Sequence, residues 1–156
     1  MPGAAVDTSE RRFEPLPYTV YFIHPDREAW ADVVDAKYPV DPDLIHARFS
    51  SSSDIWIIQT YLHLRRKGLD VRLESRPVRG AINVVMNYDL GIRQVPCHSY
   101  VVSCRADTFY PYISNHVIVQ NPINASPGTD HFVPHWPQPG LIPRDASRGS
   151  RVEVVG

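Results

Sequence analysis

The chain has 156 residues, 43% apolar and 21% charged, with a formal net charge of -1 and a pI near 6.6. That is the size and composition of one soluble globular domain, enough for one hydrophobic core. The charge balance argues against a phosphate-backbone partner, so no nucleic acid is expected. No apolar run approaches the ~20 residues of a membrane span, and "MPGAAVDTSERRFEP" has no apolar core of a secretory signal. Residues 1–17 read as a flexible tail. Cys97 and Cys104 are spaced like no common zinc pair, and Cys104 lies in an apolar run, as a small buried side chain would. A reducing, cytoplasmic setting fits.

"YTVYFI" (18–23) is β-branched and aromatic and predicts a buried strand. "DREAWADVVDAKY" (26–38) predicts a helix capped by Asp26, with Trp30, Val33, Val34 and Lys37 at helical spacing. "DPDLIHARF" (41–49) predicts a short helix with Asp41 as cap and Pro42 at the first position. "SSSDIWIIQTYLHLRRKG" (51–68) is apolar on most sides, which predicts a helix buried between layers. Arg65, Arg66 and Lys67 suit its C-terminal end, and Gly68 stops it.

Strands follow at 69–75, 81–89, 99–107 and 116–122. Each is a short apolar run with a polar end: Asn87 and Asp89, Arg105 and Asp107, Gln120 and Asn121, as His24 and Asp26 end the first. Nearly continuous apolar strands are buried on both faces, which predicts an α/β fold with a Rossmann-like, mostly parallel sheet flanked by helices. The polar ends then meet where such sheets bind ligands. Between the 69–75 and 81–89 strands stands only "RPVRG", too short for a helical crossover. This joint is a hairpin or a bare loop between non-adjacent strands.

His24 leaves the first strand where a general base can stand. "SSSD" at 51–54 opens the main helix, whose free N–H groups suit a phosphate or sugar hydroxyl. No Gly-rich phosphate loop is present. "DPD" at 41–43 matches the Asp-x-Asp of metal-dependent sugar transferases, but a helix cap explains both Asp41 and Pro42. His131 and His135 are four apart, yet Pro134 argues against a shared helix face.

"FVPHWPQPGLIPRD" (132–145) holds four prolines and reads as a stiff connector. "RVEVVG" (151–156) then alternates like the first strand of another unit. Together with "QNP" and "SRG", these segments resemble the N-terminal half of a bacterial group of GT-B-type glycosyltransferases, over roughly residues 18–156. The linker is the specific part of that resemblance.

The resemblance implies a Rossmann-like acceptor-side domain at 18–131, a Pro-rich interdomain linker at 132–150 and a truncated strand at 151–156. It implies transfer of a sugar from a nucleotide-sugar donor to a hydroxyl acceptor, with no metal or cofactor held by this half. The donor site belongs to a C-terminal domain absent here, so the chain alone is expected to be inactive. His24 matches the position of the base after the first strand. Ser52, Ser53 and Asp54 would line the cleft, and Asn87, Tyr88 and Arg105 would contact the acceptor. Residues 26–50 are an insertion relative to the family pattern, placed to shape the acceptor pocket. The competing expectation is a non-catalytic Rossmann-like module that binds a sugar or a protein, with the Pro-rich segment packed back on its own domain.

Overall fold

The computed structural model describes residues 17–90, 95–105, 114–138 and 147. Six strands form one sheet: β1 Val20–Ile23, β2 Val71–Glu74, β3 Ile82–Met86, β4 Tyr100–Arg105, β5 His116–Val119 and β6 Asp130–Phe132. The order is β2-β1-β3-β4-β5-β6, and every neighbouring pair is parallel. The predicted α/β, Rossmann-like sheet is therefore present, and it is parallel throughout.

The "RPVRG" joint resolves as the bare loop. β2 and β3 flank β1 on opposite sides, so the chain passes from the end of one to the start of the other across β1. Seven residues, 75–81, make that crossing. At roughly 3.3 Å per residue they reach far enough without a helix. Asn83 pins the loop from within the sheet. Its Oδ1 accepts from the Val78 amide at 2.7 Å, and its Nδ2 donates to the carbonyls of Val78 and Ala81. The side chain is fully buried, so these bonds satisfy an amide that would otherwise be costly to bury.

Between β1 and β2 the chain builds the helical layer. A 3₁₀ turn, Arg27–Trp30, runs into one turn of helix, α1 Ala31–Val34. This is shorter than the predicted 26–38 helix, and the cause is tertiary. The Arg65 guanidinium donates to the carbonyls of Val33, Val34 and Ala36, taking the groups that further helix would have used. A 3₁₀ segment, Pro42–Arg48, follows, capped as expected by Asp41, whose carboxylate accepts from the Asp43 amide. Asp41 also pairs with Arg66 at 3.0 Å.

The main helix starts as a π-helical segment, Asp54–Gln59, and continues as α2 Thr60–Arg66. Ile57, Ile58 and Leu62 are fully buried against Phe22, Leu73, Val84 and Met86 of the sheet. Gly68 ends it at φ 78°. The Gly68 amide donates to the Arg65 carbonyl and the Leu69 amide to the Leu64 carbonyl, the two bonds of a Schellman stop. A Cβ at Gly68 meets no atom, so Gly68→Ala carries only the left-handed backbone cost. It should lower unfolding free energy by about 1 kcal/mol in a denaturant titration.

The Pro-rich segment, as far as residue 138, does not stand off the domain. Trp136 stacks on His63 at 4.2 Å between ring centres and donates from Nε1 to Thr60 Oγ1. His135 meets Trp56 edge-on at 4.4 Å, and Gln59 Nε2 donates to the Pro137 carbonyl at 2.8 Å. Apart from Ser147, the remainder of 132–150 and all of 151–156 lie outside the described residues, as do residues 1–16 and Asp107. No helix among the described residues is long and apolar enough to cross a membrane.

Candidate functional site

In this sheet the strand order reverses between β1 and β3. The chain leaves β1 to reach β2 on one side, and everything from β3 onward lies on the other. Such a switch point opens a crevice beyond the carboxyl ends of the strands. His24 follows β1 directly, and the turn Asn87–Asp89 follows β3 directly. The start of the main helix faces both.

The helix start is a capping box. Ser51 Oγ accepts from the Asp54 amide at 3.1 Å, and Asp54 Oδ2 accepts from the Ser51 amide at 2.9 Å. The same oxygen accepts from the Ser50 amide and hydroxyl. The other oxygen, Oδ1, lies 3.1 Å from His24 Nε2. Burial pushes the Asp54 carboxyl up, but the hydrogen bonds from Ser50 and Ser51 outweigh it and hold the group below the usual carboxylate range.

His24 is 4% exposed, with both ring nitrogens engaged. The Asp26 amide donates to Nδ1 at 3.2 Å. Nδ1 therefore carries the lone pair, and the proton sits on Nε2, donated to Asp54. The arrangement is a carboxylate-oriented imidazole whose basic nitrogen is covered by one long backbone hydrogen bond.

Ser53 is buried and donates to Asp89 Oδ2 at 2.7 Å. Burial pushes the Asp89 carboxyl above its usual range, and Asp26 and Asp54 add to the rise against the pull of Ser53 and His24. Such a raised group favours the fold most fully below the ordinary carboxylate pKa, and that contribution is lost as pH rises through the folded value. Asp89→Asn should therefore melt higher than wild type at neutral pH. The gain should vanish in acid, as thermal unfolding across pH will test. Burial, followed by the Asp89 charge, also raises the Tyr88 hydroxyl.

Of the sequence-predicted residues, the crevice gathers His24, Ser53, Asp54 and Tyr88. Tyr88 is 42% exposed and walls a cavity of about 290 Å³ with Asp89, Ser53, His24 and Asp54. Asn87 stands at the same strand end, 5% exposed, its Nδ2 without a hydrogen-bond partner among the described residues. Ser52 is exposed and borders none of the crevice cavities. Nor does Arg105, which ends β4 and acts electrostatically on Asp130.

Sequence reasoning placed Asp26 and Asp89 among the converging strand ends and Ser51 at the helix start, but named none of them, nor Ser50, as a site residue. Ser51-x-x-Asp54 fits the capping-box spacing, a signal that could have found the Asp54 role. The 26–50 segment walls one side of the crevice. Asp26, Trp30, Arg48 and Ser50 border a cavity of about 310 Å³, with the Arg48 guanidinium 4.5 Å over the Trp30 ring.

A larger cavity, about 550 Å³, lies on the helix-covered face beneath residues 133–136 and is lined by apolar groups such as Val20, Val84 and Ile118. Its thiol, Cys104, is pushed up to about 12 by burial and is inert as a nucleophile. His131 pairs with His116 at 2.7 Å and is not joined to His135. Among the described residues no three His, Cys, Asp or Glu side chains are grouped to hold a metal ion.

These features define the class: an α/β protein with a six-stranded parallel sheet and a polar crevice at its switch point. No protein-family model, curated protein or solved structure matches the chain.

Proposed function

We propose that this chain is the acceptor-side half of a GT-B-type glycosyltransferase, moving a sugar from a nucleotide-sugar donor to a hydroxyl. The observation that carries the reading is the His24–Asp54 pair at the end of the first strand, inside the switch-point crevice. The resemblance of "PHWPQPGLIPRD" to the family linker supports it.

The acceptor hydroxyl takes the place of the Asp26 amide at His24 Nδ1. As its oxygen bonds to the anomeric carbon, the proton passes to Nδ1. The nucleotide leaves with the electron pair of the broken carbon–oxygen bond. Asp54 holds the Nε2 proton throughout and stabilises the imidazolium. Ser53 and Asp89 offer a donor and an acceptor to neighbouring hydroxyls, and Tyr88 supplies an aromatic wall. The donor is held by a second domain, so this chain alone performs no transfer. The partners are the acceptor, the donor and that domain. The protein works in the cytoplasm, where nucleotide sugars are made.

A second reading has one observation in its favour. Residues 133–137 pack on the main helix, as a solitary sugar- or protein-binding module would have them. The two readings separate in one assay. The complete gene product should release nucleotide from a nucleotide-sugar panel when acceptor sugars are supplied. A product that binds sugar but never consumes donor supports the module.

A further inference from the structure

Histidines hold the segment 130–137 to the domain. His116 Nδ1 of β5 and His131 Nε2 of β6 lie 2.7 Å apart, with ring centres at 4.8 Å. One nitrogen carries the proton of that bond and the other the lone pair. A second proton removes the acceptor and sets two cations side by side. Tyr100 of β4 packs on His116 at 5.7 Å between ring centres. Asp130 precedes His131 but alternates to the opposite face of the sheet, where its carboxylate accepts from Ser126 and Thr129.

Further along, the His63 ring of α2 lies under Trp136. Burial, then the Arg66 charge, holds His63 below the usual imidazole range; Lys67 adds to this, and Asp43 and Asp41 oppose it. A lowered imidazole stabilises the docked state above its ordinary pKa, and that contribution is lost as pH falls through the lowered value. His135 is different. Its Nδ1 donates to the Trp136 carbonyl at 2.6 Å, a bond that protonation of the ring leaves intact.

The other ties are slight. β6 has three residues and stands last in the strand order, and Phe132 and Val133 are half-exposed. A segment with so little buried surface opens without unfolding the rest. Beneath it lies the apolar cavity of about 550 Å³, which Val133, Pro134, His135 and Trp136 help to line. We infer that residues 130–137 form an acid-released strap: protonation at the His116–His131 pair and at His63 lifts it from α2 and opens that cavity.

NMR spectra of this chain from about pH 7.5 to 5, across the imidazole range, test this. The Trp136 indole N–H and the Val133 amide read the strap; the amides of β1 and β3 read the core. The strap signals should move together towards undocked positions, the open-to-docked ratio rising at least about tenfold, while the core signals hold. His63→Phe keeps a ring beneath Trp136 that takes no proton, and should hold the strap docked to lower pH. His131→Gln leaves an uncharged donor and acceptor beside His116 and should act in the same direction, which keeps the test open if the first variant fails to fold. Strap signals that stay docked to the acid end of the range overturn the inference. So does loss of strap and core at one midpoint, and so do folded variants that release where wild type does.

Discussion

Asp54→Ala should lower unfolding free energy by roughly 2–4 kcal/mol, a large effect for one carboxylate. The residue is 6% exposed and serves four donors: the amides of Ser50 and Ser51, the Ser50 hydroxyl and His24 Nε2. Alanine strands those that remain buried and removes half the capping box. Asparagine is a partial rescue. One end of its amide is a donor and must face either the Ser amides or the His24 Nε2–H, so a loss of about 1–2 kcal/mol is expected. The pH dependence carries a second signature. The folded-state value of Asp54 is lowered, so its stabilisation is present above the ordinary carboxylate pKa and is lost as pH falls through the lowered value. Asp54→Ala should flatten that acid limb. Denaturant titrations of the three proteins across pH measure both effects. An unchanged midpoint for the alanine variant would remove Asp54 as the keystone of the helix start.

His24→Ala in the complete enzyme should reduce turnover by about 10²- to 10⁴-fold, the range expected for a general base. Its effect on KM for the donor should be small, because the proposed reaction puts the donor on the second domain. His24→Gln is the sharper variant. Glutamine can still donate to Asp54, so it separates the hydrogen bond from proton transfer. Both variants should lose turnover alike if the imidazole moves a proton. If glutamine restores activity, His24 only positions the crevice. Turnover within severalfold of wild type in both would exclude it as the base.

The sheet was readable because its strands are buried on both faces and so appear as short apolar runs with polar ends. Gly68 and Asp41 were readable because caps are local chemistry. The "RPVRG" joint was not, since five residues fit a hairpin and a bare crossing equally well. The crossing follows from β2 and β3 pairing on opposite sides of β1, and Asn83 holds the loop from inside the sheet. The 26–38 helix was over-long in prospect because nothing local shows that Arg65 will take its last carbonyls. At the site, His24 and Asp54 were each visible, but their pairing spans thirty residues and depends on the sheet order. Asp89 was visible only as one polar strand end among several, because what sets it apart is burial beside Ser53, Asp26 and Asp54. Proline content signalled stiffness in 132–138. It could not signal that Trp136 would find Thr60 and His63.

The transferase proposal requires this domain to be one half of a two-domain protein, and reading the coding sequence beyond Gly156 decides the matter. The reading frame should continue for ~150–200 residues. A glycine-rich turn should follow "RVEVVG", with an acidic residue later to hold a ribose. A stop codon directly after Gly156 would contradict it and leave a single-domain binding module.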